Sequence, residues 1–120
     1  MTGPDTGQLV YDLTFASEFA QPILSGEKTV TARLDDEHGG VFDGDELRLV
    51  TEDGETIADA TVKRAKTVPA TEAYDVLNLH SGHKSYGSLS EFLETMQGYY
   101  PDTIIGEETE IRLIHFEVGY

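Results

Sequence analysis

The sequence predicts an α+β fold, a small mixed β-barrel of about five strands with two or three short helices. Three observations carry this expectation. The chain has 120 residues, which is room for one core and not for two. Several segments alternate apolar and polar residues with the period of a strand, and one segment near residue 90 has helical spacing behind a capping signature. With 38% hydrophobic residues, five Phe and six Tyr, the chain has enough apolar material for a packed core, so its acidity does not make it a disordered polymer.

Taken in order, residues 1–8 are rich in Gly, Pro, Thr and Asp and are expected to form a loose arm ahead of a single domain over 9–120. Leu9 to Phe15 places Leu9, Tyr11, Leu13 and Phe15 on one side of a strand. Ser17 to Leu24 reads as a short helix with Phe19, Ile23 and Leu24 on one side, ended by Gly26. Thr29 to Leu34 alternates again, Val30, Ala32 and Leu34 against Thr29, Thr31 and Arg33. Glu46 to Thr51 and Thr56 to Val68 form a hairpin about Asp53-Gly54, and the length of the second arm implies a curved sheet. Thr71 to Leu79 suits a short helix. Ser88-Leu89-Ser90-Glu91 is a capping box, and Leu89, Phe92, Leu93 and Met96 share one helical face before Gly98. Thr109 to Val118 completes the set as a strand partly buried on both faces.

The charge is the most unusual property: 23 Asp and Glu against 8 Lys and Arg, a net charge of −15. The acid is spread along the whole chain rather than gathered in a tail. That distribution resembles proteins of halophilic hosts, where screening to a Debye length of about 3 Å or less removes most self-repulsion. There is no cysteine, hence no disulfide framework, thiolate nucleophile or Cys-ligated metal. No apolar run approaches a membrane span, and the first residues lack the basic start and apolar stretch of a signal peptide, so a cytoplasmic location is expected. Glycine-rich phosphate loop, zincin, EF-hand and nucleophile-elbow motifs are absent. His80 and His83 lie one helical turn apart, but without a third ligand they read as loop histidines. His115 reads as a core histidine, and Asp35-Asp36-Glu37 as a solvated loop. No metal and no cofactor are expected.

Against this background two segments stand out. Ser25 to Leu34 holds Lys28 and Arg33 with one acid, and Lys63-Arg64-Ala65-Lys66 holds three cations with none. Five of the eight basic residues thus fall in fourteen positions, which suggests a positive cleft for an anionic ligand. Lys28 and Arg33, with Ser25 and Lys63 as further ligand contacts, are the candidates. A lysine entering a partly desolvated cleft beside other cations loses charge more readily and becomes a base, while arginine offers a planar fork of donors.

Gly26-Glu27-Lys28-Thr29-Val30-Thr31-Ala32-Arg33, followed by Phe42-Asp43-Gly44-Asp45-Glu46-Leu47, resembles the signature of the ASCH domain, a PUA-like, RNA-associated β-barrel. Tyr99-Tyr100-Pro101 and the strand Glu110 to Val118 are similar to its small bacterial branch, which includes the N4-acetylcytidine amidohydrolases. The resemblance spans about residues 13 to 118. It implies a cleft between barrel and helices, with Lys28 and Thr31 as catalytic groups and Arg33 holding the ligand, in a metal-independent hydrolysis of the amide of a modified nucleoside. The branch also uses a glutamate before its second long helix; the matching stretch here, His83-Lys84-Ser85-Tyr86-Gly87, has none.

Two function classes therefore stand side by side, an amidohydrolase and a non-catalytic module holding RNA or a nucleotide in the same cleft. Ribonuclease action, a third, would need a general acid and base that the sequence does not place. Tyr86, Tyr99 and Tyr100 are candidates for stacking on a base. One geometric tension is visible in advance. Lys28 and Thr31 are an odd number of positions apart and would face opposite ways on one strand, so Lys28 has to lie in the turn and curl back.

The charge reading makes a direct prediction. Unscreened repulsion among the excess carboxylates lowers stability, so the melting temperature rises between about 0.1 M and about 2 M KCl. A flat or falling melting temperature over that range would rule out the halophilic reading.

Overall fold

A computed structural model describes residues 10–35, 40–80 and 86–119. The expected arm over 1–8, most of the Asp35-Asp36-Glu37 loop and His83 lie outside the described residues. In chain order the elements are β1 (Val10–Phe15), a 3₁₀ turn (Ser17–Phe19), α1 (Ala20–Ser25), β2 (Val30–Leu34), β3 (Glu46–Thr51) and β4 (Thr56–Pro69), followed by α2 (Ala70–Asn78), α3 (Leu89–Tyr99) and β5 (Glu110–Gly119). The strands form one curled sheet in the order β1-β3-β4-β5-β2, a half-barrel. Only β1 and β3 pair in parallel; the other neighbours are antiparallel.

The elements follow the sequence pattern, with local shifts. The expected helix over Ser17–Leu24 divides into the 3₁₀ turn and α1. Pro22 sits in the first turn of α1, where a missing N–H costs nothing, and Gly26 ends the helix at φ 83° with its N–H on the Ile23 carbonyl. The Asp53-Gly54 hairpin forms as expected, with Gly54 at φ 86° and Thr51 N–H bonded to the Glu55 carbonyl. At α3 the Ser88 hydroxyl accepts from Glu91 N–H, and Glu91 Oε1 accepts in return from Gly87 N–H.

β4 curves because of a bulge between Val62 and Arg64, which leaves Lys63 outside the ladder to β5. The Phe42–Asp45 turn seats itself there. Asp45 Oδ2 accepts from Phe42 N–H, Gly44 and Asp45 exchange backbone bonds with Val62, and the Asp43 carboxylate accepts from Ala65 N–H. The Phe-Asp-Gly-Asp segment is thus the clasp on the bend of β4.

Two apolar cores result, one on each face of the sheet, where the chain length predicts one; a single strand, β5, serves both and so makes the second possible. Ile114 and Phe116 join Leu13, Phe15, Ile23, Leu47, Leu49 and Val62 inside the half-barrel. Ile111 and Leu113 on the opposite face join Val30, Val68, Leu77, Phe92 and Met96 beneath α2 and α3. Burial on both faces of β5 matches the sequence expectation. The same strand also buries Arg112, only 7% exposed, which sequence reading did not single out. Its Nε and Nη2 donate to the Val41 carbonyl at 3.1 and 2.7 Å and its Nη1 to Thr67 Oγ1 at 2.9 Å, while Thr67 donates to Asp35. Phe42 covers the guanidinium with its ring centroid 5.1 Å away. Arg112 therefore ties the segment before β3 to the middle of β5 and β4.

Replacing Arg112 by leucine strands the Val41 carbonyl without its donor in a buried setting. The expected cost is about 2 to 4 kcal/mol of unfolding free energy, measured by urea denaturation. A cost below about 1 kcal/mol would show that Arg112 is dispensable to the clasp.

Candidate active site

The cleft of interest lies where the two cores meet. It has a volume of about 490 Å³ and is bounded by the edge strands β1 and β2 on one side and by α2 and α3 on the other. Lys28, Thr31 and Arg33 all line it, as do Tyr86, Tyr99 and Tyr100. The expected grouping around the Lys28 segment is therefore present. Ala32, expected to point inward with Val30 and Leu34, packs against the α2–α3 core and also reaches the cleft wall.

Lys28 reaches the cleft because of the turn after α1. Gly26 reverses the chain and Lys28 N–H bonds back to the Pro22 carbonyl at 3.0 Å, so the side chain turns inward before β2 begins at Val30. The strand-parity tension noted above is removed, since Lys28 is not on the strand. It is only 5% exposed, and its Nζ donates to the Val30 carbonyl at 3.0 Å. The Phe19 and Phe15 ring centroids lie 5.2 and 5.9 Å away, so the ring faces supply part of the electrostatic stabilisation that water would give. Desolvation first, and then the neighbouring Arg33 cation, hold its pKa down to about 8.

Arg33 also packs on Phe15, its Cζ 4.6 Å from the ring centroid. Its Nε donates to Thr31 Oγ1 at 3.2 Å and its Nη2 to the Thr14 carbonyl of β1 at 2.9 Å. Nη1 has no protein acceptor among the described residues. Burial disfavours its charge, and the phenols of Tyr100 and Tyr99 work in the opposite direction. Thr31 is 6% exposed, a buried hydroxyl on a cation. Tyr86 stands edge-on to Phe92 with centroids 5.1 Å apart, and burial, aided by Tyr99, pushes its phenol up to about 12, so it remains a donor at neutral pH.

The other candidates fall elsewhere. The Ser25 side chain is bonded to its own helix end, donating to the Pro22 carbonyl and accepting from Glu27 N–H, and it does not line the cleft. Lys63, carried on the bulge, has a side chain 61% exposed and pairs with Glu117 at 3.6 Å; Lys66 pairs with Glu72. Lys63 does not line this cleft but borders a second groove, which Lys28 also lines together with Thr29 and His115. Lys28 and Arg33 are thus the cations of the cleft, and the second basic segment contributes none. His115 stacks edge-on with His80 at 5.5 Å, and burial, then His80 and Arg64, lower its pKa. Among the described residues no three ligating side chains converge as a metal site.

Two cleft residues escaped the sequence reading. Asp12 lines it while held by Arg48 through two bonds of 3.0 and 3.2 Å. Glu52, in the β3–β4 turn, adds a second carboxylate. Nothing marks either among 23 acids in the sequence.

The depressed pKa fixes a sign for stability. The folded state binds fewer protons than the unfolded state between pH 8 and 10.5, so the penalty for charging Lys28 is fully present below pH 8 and fades as pH rises toward 10.5. Lys28→Met lacks that penalty. Its stability relative to wild type falls by about 2 to 3 kcal/mol between pH 7 and pH 10.5, read by urea unfolding at both pH values. A difference that does not change with pH would contradict the burial of the charge.

No family model and no curated protein sequence matches the chain. Solved structures do. Hypothetical protein PH0355 superimposes with a TM-score of 0.70 at 18% identity, covering 92% of this chain and 100% of its own. The ASCH domain from Lactobacillus crispatus gives 0.63 at 19% identity, covering 91% and 79%. A mutant ASCH protein from Zymomonas mobilis gives 0.60 at 13% identity, covering 88% and 66%. At these identities the likeness concerns architecture alone: the chain, a five-stranded half-barrel with flanking helices, has the fold of the ASCH domains.

Proposed function

We propose that the cleft binds a modified nucleoside, free or within RNA, and hydrolyses its exocyclic amide, as in N4-acetylcytidine. The observation that carries this reading is the meeting of Lys28, Thr31 and Arg33 in one cleft, with Lys28 buried among aromatic rings. A volume of about 490 Å³ is in the range of small-molecule sites, and the walls of Tyr86, Phe92 and Tyr99 suit the flat face of a base.

In this reading the Thr31 hydroxyl, polarised by Arg33 Nε, passes its proton to the neutral Lys28 amine, directly or through one water, once Lys28 releases the Val30 carbonyl. The Thr31 oxygen attacks the amide carbon, and the negative oxygen of the adduct is stabilised by the two cations. Collapse of the adduct breaks the C–N bond, and the leaving amine takes the proton from Lys28. Water then hydrolyses the acyl-threonine to release the carboxylate. A binding-only reading is favoured by one specific observation: Lys28 Nζ is hydrogen-bonded to Val30 and not to Thr31.

The test is incubation with N4-acetylcytidine in molar KCl, with chromatography for cytidine. Lys28→Ala is expected to reduce turnover by at least about 10²-fold, and Lys28→Arg does not restore it, because guanidinium keeps charge but takes no proton. Full turnover in the arginine variant excludes Lys28 as the base. If wild type shows no turnover but binds, and Lys28→Ala weakens binding by about 1 to 3 kcal/mol, the cleft is a binding site only.

A further inference from the structure

Lys28 has a chemical property that amide hydrolysis does not exhaust. Lys28 lines the cleft with 5% of its surface exposed, and the one hydrogen-bond acceptor of its amine among the described residues is the neutral Val30 carbonyl. No carboxylate among the described residues forms an ion pair with it. An amine that gives one proton to a carbonyl keeps its lone pair directed away from that carbonyl. Two phenylalanine rings and a second cation, Arg33, surround it; burial and the neighbouring charge make the uncharged amine easier to reach, and the ring faces offset that only in part. Beside it, Arg33 Nη1 has no acceptor among the described residues and is available for an anionic or oxygen-rich group, and Tyr86 and Tyr99 offer aromatic surface at the same cleft.

We propose that Lys28 is a carbonyl-reactive amine and that the cleft captures planar aldehydes carrying an anionic group as imines. The amine lone pair forms a C–N bond to the aldehyde carbon, and the carbonyl oxygen becomes the hydroxyl of a carbinolamine, taking the proton released by nitrogen. Loss of that oxygen as water leaves the C=N bond, so that one aldehyde and one amine give one imine and one water. The aromatic walls hold the ring of the aldehyde and Arg33 holds its anionic group. A pKa of about 8 leaves roughly a quarter of the amine uncharged at pH 7.5, against roughly a thousandth for an ordinary lysine. The proposal needs neither Thr31 nor hydrolysis, and so stands apart from the amide reading.

The experiment uses the intact protein in molar KCl at pH 7.5 with 4-formylbenzoate and sodium cyanoborohydride, which delivers hydride to the imine and fixes it as a secondary amine. Peptide mass mapping over time gives a rate for each lysine. Lys28 is expected to be labelled at least tenfold faster than Lys63 and Lys66, and 4-formylbenzoate to outpace benzaldehyde at Lys28 by at least threefold. Lys28→Arg removes the fast label and leaves the rates at Lys63 and Lys66 as in wild type. Labelling of Lys63 or Lys66 as fast as Lys28, or no label at Lys28 while the others react, overturns the proposal; equal rates for the two aldehydes overturn the anion preference. Because the readout is mass and not turnover, failure here and failure to hydrolyse N4-acetylcytidine are separately visible.

Discussion

Strand β5 is asked to be buried on both faces at once, and the arrangement of the molecule follows from that demand. Ile114 and Phe116 close the half-barrel, while Ile111 and Leu113 on the reverse face seat α2 and α3. A strand of this kind has no polar face to give to solvent, so β4 has to run its whole length beside it and bend, and β2 has to cover its other edge. The bend is set at the Lys63 bulge and clasped by the Phe42–Asp45 turn. Arg112 lies within the same strand, its charge accommodated by the Val41 carbonyl, Thr67 and the Phe42 ring.

A two-core plan leaves a junction, and the junction is the cleft. β1 and β2 are the ends of the sheet order and do not pair with each other; Phe15 and Phe19 from one side and Phe92 and Met96 from the other wall the gap between them. Lys28 and Arg33 both lie against the Phe15 ring at this gap. Two like charges in an apolar setting are costly, and here the aromatic faces, backbone carbonyls and Thr31 hydroxyl meet that cost in part. The remainder is expressed in the weakened proton affinity of Lys28, so the desolvation that destabilises the fold also yields the more readily uncharged amine on which the proposed chemistry draws.

How far the sequence was legible depended on the range of the interaction involved. β1, β3, β4 and the capped helix α3 follow from local alternation and from Ser88 with Glu91, and all are present within a residue or two. Lys28 was legible because Gly26 and the short Lys-Thr-x-x-x-Arg spacing fix its turn locally. Pairings decided by distant chain were not legible: the parallel β1–β3 register joins residues 36 apart, and the particular partner of Lys63, Glu117, lies on a strand 54 residues on. Clustering in sequence placed Lys63 and its neighbouring cations with Lys28; in space the bulge carries Lys63 to a second groove that Lys28 also lines, and away from the cleft that holds Arg33. Arg112 gave no local sign, since an arginine in an otherwise apolar strand reads as its solvent-facing member.

The bonds from Arg33 to the Thr14 carbonyl and from Leu34 N–H to the Tyr100 hydroxyl have a meaning beyond the ligand. They occupy backbone groups on the two edge strands of an unclosed sheet, where free N–H and C=O groups invite another chain to add a strand. The side chains that furnish the cleft therefore also act as guards against edge-to-edge association. Under the proposed function, recognition and resistance to aggregation rest on the same arginine and tyrosine, and neither residue is free to change for the sake of one task alone.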